Sequence, residues 1–178
     1  MTSDGGWEGI LHEGESILWQ GRPDGKFHLT GTRLIEGGLG VFFALFAAFW
    51  MLLASNAPGP MWMFGFIHFS IGIGLAFHGL YWPTFRRQRT WYTLTTERAF
   101  IATDIPIRGK SLKSYPITRD TALTLEDGYP GSIWFAHEYR RSRNGSRRVN
   151  IGFERIDAAR DVLKLMTGIQ RGQDAGTQ

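Results

Sequence analysis

Apolar residues in this chain follow three regimes, each with its own period. From Leu34 to Ala54 and from Met61 to Trp82 they run almost without interruption, and no Asp, Glu, Lys or Arg occurs in the 49 residues from Gly37 to Phe85. Each stretch is close to the ~20 residues that cross about 30 Å of hydrocarbon. Between them, Ser55–Pro60 holds two prolines and a glycine, which end one helix and reverse the chain. The pattern predicts a transmembrane helical hairpin over residues 34–85, with helices at about 34–54 and 61–82.

After Arg89 the period falls to two. Strands are predicted at Thr90–Thr95, Arg98–Thr103, Ser111–Ile117, Ala122–Leu125, Ser132–Tyr139 and Arg148–Phe153, with Asn144-Gly145 turning the last pair. Helical spacing returns over Asp157–Gln170: Asp157 caps it, and Ile156, Ala159, Val162, Leu163, Met166 and Ile169 share one face. Gly168 weakens its end, and residues 171–178 are expected to form a disordered tail. Ahead of the membrane lies an N-terminal segment, residues 1–33. Its Ile17-Leu18-Trp19 cluster, closed by Gly21 and Pro23, fits either a short strand or an interfacial segment with Trp19 at headgroup level. The fold class is α+β: a two-helix transmembrane hairpin plus a small antiparallel β-sandwich or partial barrel over residues 86–170, plugged by its C-terminal helix.

Charge orients the hairpin. Residues 1–36 hold three basic and six acidic side chains, and residues 86–178 hold seventeen and ten, for a net charge of +4 overall. Arg22, Lys26 and Arg33 precede the first helix, and Arg86, Arg87 and Arg89 follow the second. Flanking Lys and Arg favour the cytoplasmic side, so a multi-pass membrane protein with both termini cytoplasmic and the short loop outside is expected. A cleaved signal peptide competes for the first stretch, helped by Ala54 and Ala57 but opposed by the long acidic segment before it. The lack of cysteine excludes disulfides, thiolate metal sites and cysteine nucleophiles.

Small residues mark the helix contacts. Gly37, Gly40, Ala44 and Ala47 form one stripe, and Gly65, His68, Gly72, Ala76 and Gly79 another. Small side chains let backbones approach where lipid supplies no hydrophobic drive, so these are predicted packing positions, within one hairpin or in a homo-oligomer. Phe42, Phe43, Phe46, Phe49, Phe66, Phe69 and Phe77 then face lipid or a partner, with Trp50, Trp62, Tyr81 and Trp82 near the helix ends as an aromatic belt. His68, ionisable at membrane depth, is a functional candidate. A haem or metal site needs a second ligand one turn away, but His78 lies about 15 Å along the helix and nearly a right angle round it. Helix one is read as offering no His, Asp, Glu or Cys to complete a site. The expectation is a neutral His68 bonded to a neighbouring carbonyl, and an interfacial His78.

Four phrases occur in order: Gly14–Pro23, Trp91–Arg98, Gly131–Phe135 and Phe153–Ile156. Together they resemble the bacterial pleckstrin-homology-like (PH-like) domain of small membrane proteins. The first is similar to the family's opening phrase. Trp91-Tyr92-Thr93-Leu94-Thr95-Thr96-Glu97-Arg98 is similar to its tyrosine-x-leucine-threonine-x-x-arginine hairpin, and the last two to its late strands. The resemblance covers about residues 13–168, helices included. It implies a PH-like fold and a binding or scaffolding module rather than an enzyme, with some relatives serving the assembly of membrane complexes. It transfers no ligand.

The Arg-rich stretch at 140–148 departs from that pattern. Arg140, Arg141, Arg143, Arg147 and Arg148 are candidates for anionic lipid headgroups, each worth ~1 kcal/mol near such a surface; a solvated loop is the alternative. Nucleic acid is drawn by the same charge, but no groove-reading helix or stacking platform accompanies it. Gly37-Gly38-Leu39-Gly40 opens a helix, Glu126-Asp127 before Gly128 is turn chemistry, and neither a P-loop nor a nucleophile elbow occurs. Asn144-Gly145-Ser146 matches a glycosylation sequon on the expected cytoplasmic side. The sequence predicts a non-enzymatic integral membrane protein without cofactor or metal, whose PH-like domain is a tethered interaction or complex-assembly module. Its expected partners are the bilayer, a membrane protein or second copy, and anionic headgroups. The alternative is a small oligomeric transport or pore subunit, for which His68 alone supplies a polar group near mid-membrane.

Overall fold

A computed structural model describes residues 6–28, 30–106, 109–142 and 145–175. The chain divides into two compact units, one from Met1–Asp24 with Gln88–Gln178 and the other Gly25–Arg87.

In the second unit, α1 spans Gly31–Ala54, a 3-10 turn spans Pro60–Phe64, and α2 spans Gly65–Leu80. Gly31–Ala54 and Pro60–Leu80 are each long and apolar enough to cross a membrane. Two boundaries differ from the sequence expectation. The start of the second apolar stretch is 3-10 rather than α, and the stretch breaks at Tyr81 before a separate α3, Trp82–Gln88. Pro83 explains the break: it has no N–H to give, and its ring crowds the carbonyl four residues back. The buried residues are Gly37, Gly40, Ala44 and Ala47 on α1 and Gly65, Gly72, Ala76 and Gly79 on α2. The backbones meet there, since a Cβ on Gly79 would lie 2.6 Å from the Gly37 nitrogen. Phe42, Phe46 and Phe49 are exposed on the opposite side of α1.

Among the described residues, the first unit contains seven strands and one helix. Strands β1 (Ile17–Gly21), β2 (Thr90–Thr95), β3 (Arg98–Ile105) and β4 (Gly109–Pro116) form an antiparallel sheet in that order. A second antiparallel sheet holds β5 (Thr124–Glu126), β6 (Gly131–Ser142) and β7 (Gly145–Ile156). Neither closes into a barrel. The core lies between them: Tyr92 stacks on Phe153 at 4.7 Å, Phe135 meets Phe153 edge-on at 5.2 Å, and Leu94 and Ile133 are fully buried. Helix α4 (Ala159–Ala175) adds Val162 and Met166 to this core, both fully buried.

Helix α4 corrects the expected tail. Asp157 lies two residues before the helix rather than capping it, and the helix runs through Arg171 to Ala175 instead of ending at Gln170. Two glutamines hold the extension. Gln170 Nε2 donates to the carbonyls of Thr118 and Thr121, each at 2.9 Å, and Gln173 Nε2 donates to that of Ile117 at 2.9 Å. Residues 176–178 lie outside the described chain.

The N-terminal segment is not separate. Strand β1 pairs with β2, Ile17 opposite Thr95 and Trp19 opposite Leu94. The Trp19 ring lies 5.5 Å from that of Phe153, which decides for the strand. Asp24 closes the segment: its N–H donates to the Arg155 carbonyl at 2.7 Å and its carboxylate accepts from Arg155 Nη2 at 3.1 Å. A fragment starting at Gln88 should therefore stay unfolded, whereas residues 6–24 fused ahead of it through a flexible Gly/Ser linker should restore a dispersed NMR spectrum. A dispersed spectrum from the shorter fragment would contradict this.

Candidate functional site

Alternation along β2 and β3 sends Tyr92, Leu94 and Ala99 inward and Trp91, Thr93, Thr95, Phe100 and Ala102 to the outer face. Residues Trp7–Glu15 lie against that face at Thr95, Arg98 and Phe100. The Trp7 ring sits edge-on to Phe100 at 5.1 Å, and the Arg98 guanidinium lies 4.9 Å from the centre of the same ring.

Glu15 fastens this cover. Arg98 Nε donates to Oε1 at 3.2 Å and Arg98 Nη2 to Oε2; Thr95 Oγ1 donates to Oε1 at 2.5 Å, and the His12 N–H to Oε2 at 2.9 Å. Burial pushes the Glu15 carboxyl up, but those hydrogen bonds, Arg98 foremost, outweigh it and hold the pKa at about 2. The same bond raises Arg98 above its ordinary value. His12, Glu15 and Glu97 bring possible ligand atoms within 4.8 Å of one another. With both Glu15 oxygens taken by donors, that group fits a clasp better than a cation site. The clasp also gives the resembling phrases a physical meaning: Glu15 belongs to the first, Thr95 and Arg98 to the second, and the ion pair joins them across the intervening helices in sequence.

Beside this cover, on the same face, lies an open cleft of about 870 Å³. Trp91, Ala102 and Leu112 lie abreast on neighbouring strands and line it together with Trp7 and Ile10 and with three charged side chains, Arg22, Asp104 and Lys110. The Arg22 guanidinium sits 4.8 Å from the Trp91 ring centre. No ion pair engages Arg22 or Lys110 among the described residues. Sequence reasoning singled out none of these residues as a site. Alternation put Trp91 and Ala102 on one face, but only the pairing of β1 and the position of the second sheet tell which face is outward.

The other candidates fall elsewhere. Eight of the nine stripe residues are buried in the helix pair; His68 is exposed, at the margin of the seam, with its ring 6.1 Å from that of Phe43 on α1. Its Nδ1 lies 3.2 Å from the Phe64 carbonyl, one turn back. A carbonyl only accepts, so Nδ1 carries the proton. Helix one does offer an acid, against expectation: Glu36 in its second turn contacts His78 Nδ1 at 3.1 Å and Arg33 Nη1 at 3.1 Å. The uncharged run began one residue later and hid it.

The described arginines of the basic hairpin do not share one face. Tyr139 pairs with Arg148, Arg140 with Arg147 and Arg141 with Ser146. Strand alternation therefore puts Arg141 and Arg148 on one face and Arg147 on the other. Arg143 and the Arg140 side chain lie outside the described residues. Arg141, Arg147 and Arg148 are exposed, so trypsin should cut here in the full-length protein. If the arginines hold anionic headgroups, phosphatidylglycerol nanodiscs should slow cleavage at low salt but not at 1 M, where the Debye length falls to ~3 Å. Equal rates in zwitterionic discs would leave a solvated loop.

Comparison with protein-family models, with curated proteins and with solved structures finds no match for the chain.

Proposed function

We propose that this chain is a non-enzymatic, membrane-tethered interaction module. In this reading the two apolar helices anchor it in the bacterial inner membrane, and the β unit is a cytoplasmic PH-like domain that holds a partner during assembly of a membrane complex. The cleft on the outer sheet face carries the reading. It sets apolar walls beside two cations and one carboxylate, groups that recognise a surface. Two antiparallel sheets with a terminal helix seated in their core are compatible with a PH-like fold and support the reading. A tight seam of small residues suits a lipid-embedded pair, where packing rather than hydrophobicity joins helices.

The test is affinity purification from gently solubilised membranes. The protein should resist carbonate extraction and bring down a specific partner, and Ala102→Trp, which fills the cleft, should reduce that recovery several-fold. Release by carbonate, or recovery indifferent to the filled cleft, would count against the reading.

A further inference from the structure

We propose that the free edge of β4, with the adjoining cleft, takes an extended acidic segment of a partner protein as a fifth strand. The inference rests on the reading of the chain as an interaction module and names the chemistry of its partner.

The first argument is the edge itself. Strand β4 ends its sheet and pairs with β3 over eight consecutive residues, from Gly109 opposite Ile105 to Pro116 opposite Arg98, without a register shift. Seven of its eight residues are exposed. Its outer row of N–H and C=O groups has no strand beside it among the described residues. Such a row is a template for another chain, and proteins normally blunt it with a short strand, a bulge or charge. Strand β1 carries a register shift and β5 is three residues long, whereas β4 is long and unshifted and is blunted only by Lys110, Lys113 and its terminal Pro116.

The second argument is charge and shape. Lys110 and Leu112 are two apart, so they share the outer face, and both line the cleft. In an added strand, the residues opposite them are also two apart. Lys110 has Asp104 as its cross-strand neighbour on β3 but forms no ion pair with it among the described residues, so an acid on the added strand meets it from its open side, and Leu112, 43% exposed, calls for a large apolar side chain. That side chain, lying over Leu112, reaches toward Ala102 two strands in, about 10 Å away. Lys113 is already held on the other face by Glu138 at 2.7 Å. A second copy of β4 answers none of this, because Gly109–Pro116 contains no acid to meet Lys110. Strand addition draws affinity from main-chain bonds and specificity from alternate side chains, which fits a partner defined by an acid and an apolar residue two apart.

The experiment uses the full-length protein in detergent micelles and a fluorescein-labelled peptide, Thr-Glu-Thr-Phe-Thr-Glu-Thr, which offers the spacing in either direction. Fluorescence anisotropy should show binding at least tenfold tighter than for the Lys-for-Glu peptide, and Lys110→Glu should reverse that preference while circular dichroism stays unchanged. Only alternate N–H groups of an added strand face β4. N-methylation of the Glu and Phe residues and N-methylation of the Thr residues should therefore differ, one set abolishing binding and the other sparing it. Equal tolerance of both sets, indifference to peptide charge, or no binding by folded protein would overturn the proposal. So would a β4–β4 homodimer that the peptide does not dissociate. If the peptides fail while a partner still co-purifies in a cleft-dependent way, strand addition is wrong and the interaction module stands; loss of both removes both.

Discussion

Replacing Arg98 with alanine should destabilise the β unit by about 3–5 kcal/mol, the cost of stranding a buried charge by removing its partner. The Glu15 side chain is fully inaccessible, so solvent does not soften that loss. The effect has a pH signature. Glu15 has an ordinary value of 4.5 and a folded value of about 2. A depressed carboxyl stabilises the fold above its unfolded pKa, and this contribution, on the order of 3 kcal/mol, fades as pH falls from about 4.5 toward 2. Denaturant midpoints read by tryptophan fluorescence should therefore drop in wild type between pH 5 and pH 2, and much less in Glu15→Gln. An Arg98→Ala protein with the wild-type midpoint at pH 7 would show that the clasp is dispensable.

Gly72→Leu should separate the two helices. A Cβ at Gly72 would lie 2.5 Å from the Ala44 backbone nitrogen and 2.8 Å from its Cα, and backbone cannot rotate away as a side chain can. Overpacking of this kind costs typically 1–3 kcal/mol. Phe46→Leu, on the exposed face of α1, should cost far less. The detergent concentration at which the helices come apart, followed in SDS titrations, reads both. Equal shifts would place the contact surface elsewhere on the helices.

What was legible in the sequence was periodic. Strand β2 has the bounds that alternation predicts, and the small residues that recur at steps of three and four are the buried ones on α1 and α2. These are local patterns, fixed by the geometry of one element. What was not legible depends on pairing between distant segments. Nothing local to Ile17–Gly21 tells that it lies against Thr90–Thr95, and without that pairing the outer sheet face has no wall and the cleft does not exist. Glu15 read as one acid among several near the N-terminus, yet it is buried against a partner 83 residues away. His68 sits on the small stripe by spacing, but its ring is too large for a seam in which backbones touch, and it stays exposed at the seam's margin, bonded to its own helix and 6.1 Å from the Phe43 ring of α1. The end of α4 was misjudged because the bonds that hold it, from Gln170 and Gln173, reach a loop some fifty residues earlier.

The most direct test of a membrane-tethered interaction module is photocrosslinking in the living cell. A photoreactive amino acid placed singly at Leu112, at Trp91 and, as a control away from the cleft, at Tyr129 should report on each surface of the full-length protein. The account predicts a discrete higher-mass adduct in the membrane fraction from Leu112 and Trp91, and none from Tyr129. Adducts from Tyr129 alone, no adduct from any position, or the protein itself in the soluble fraction would contradict it.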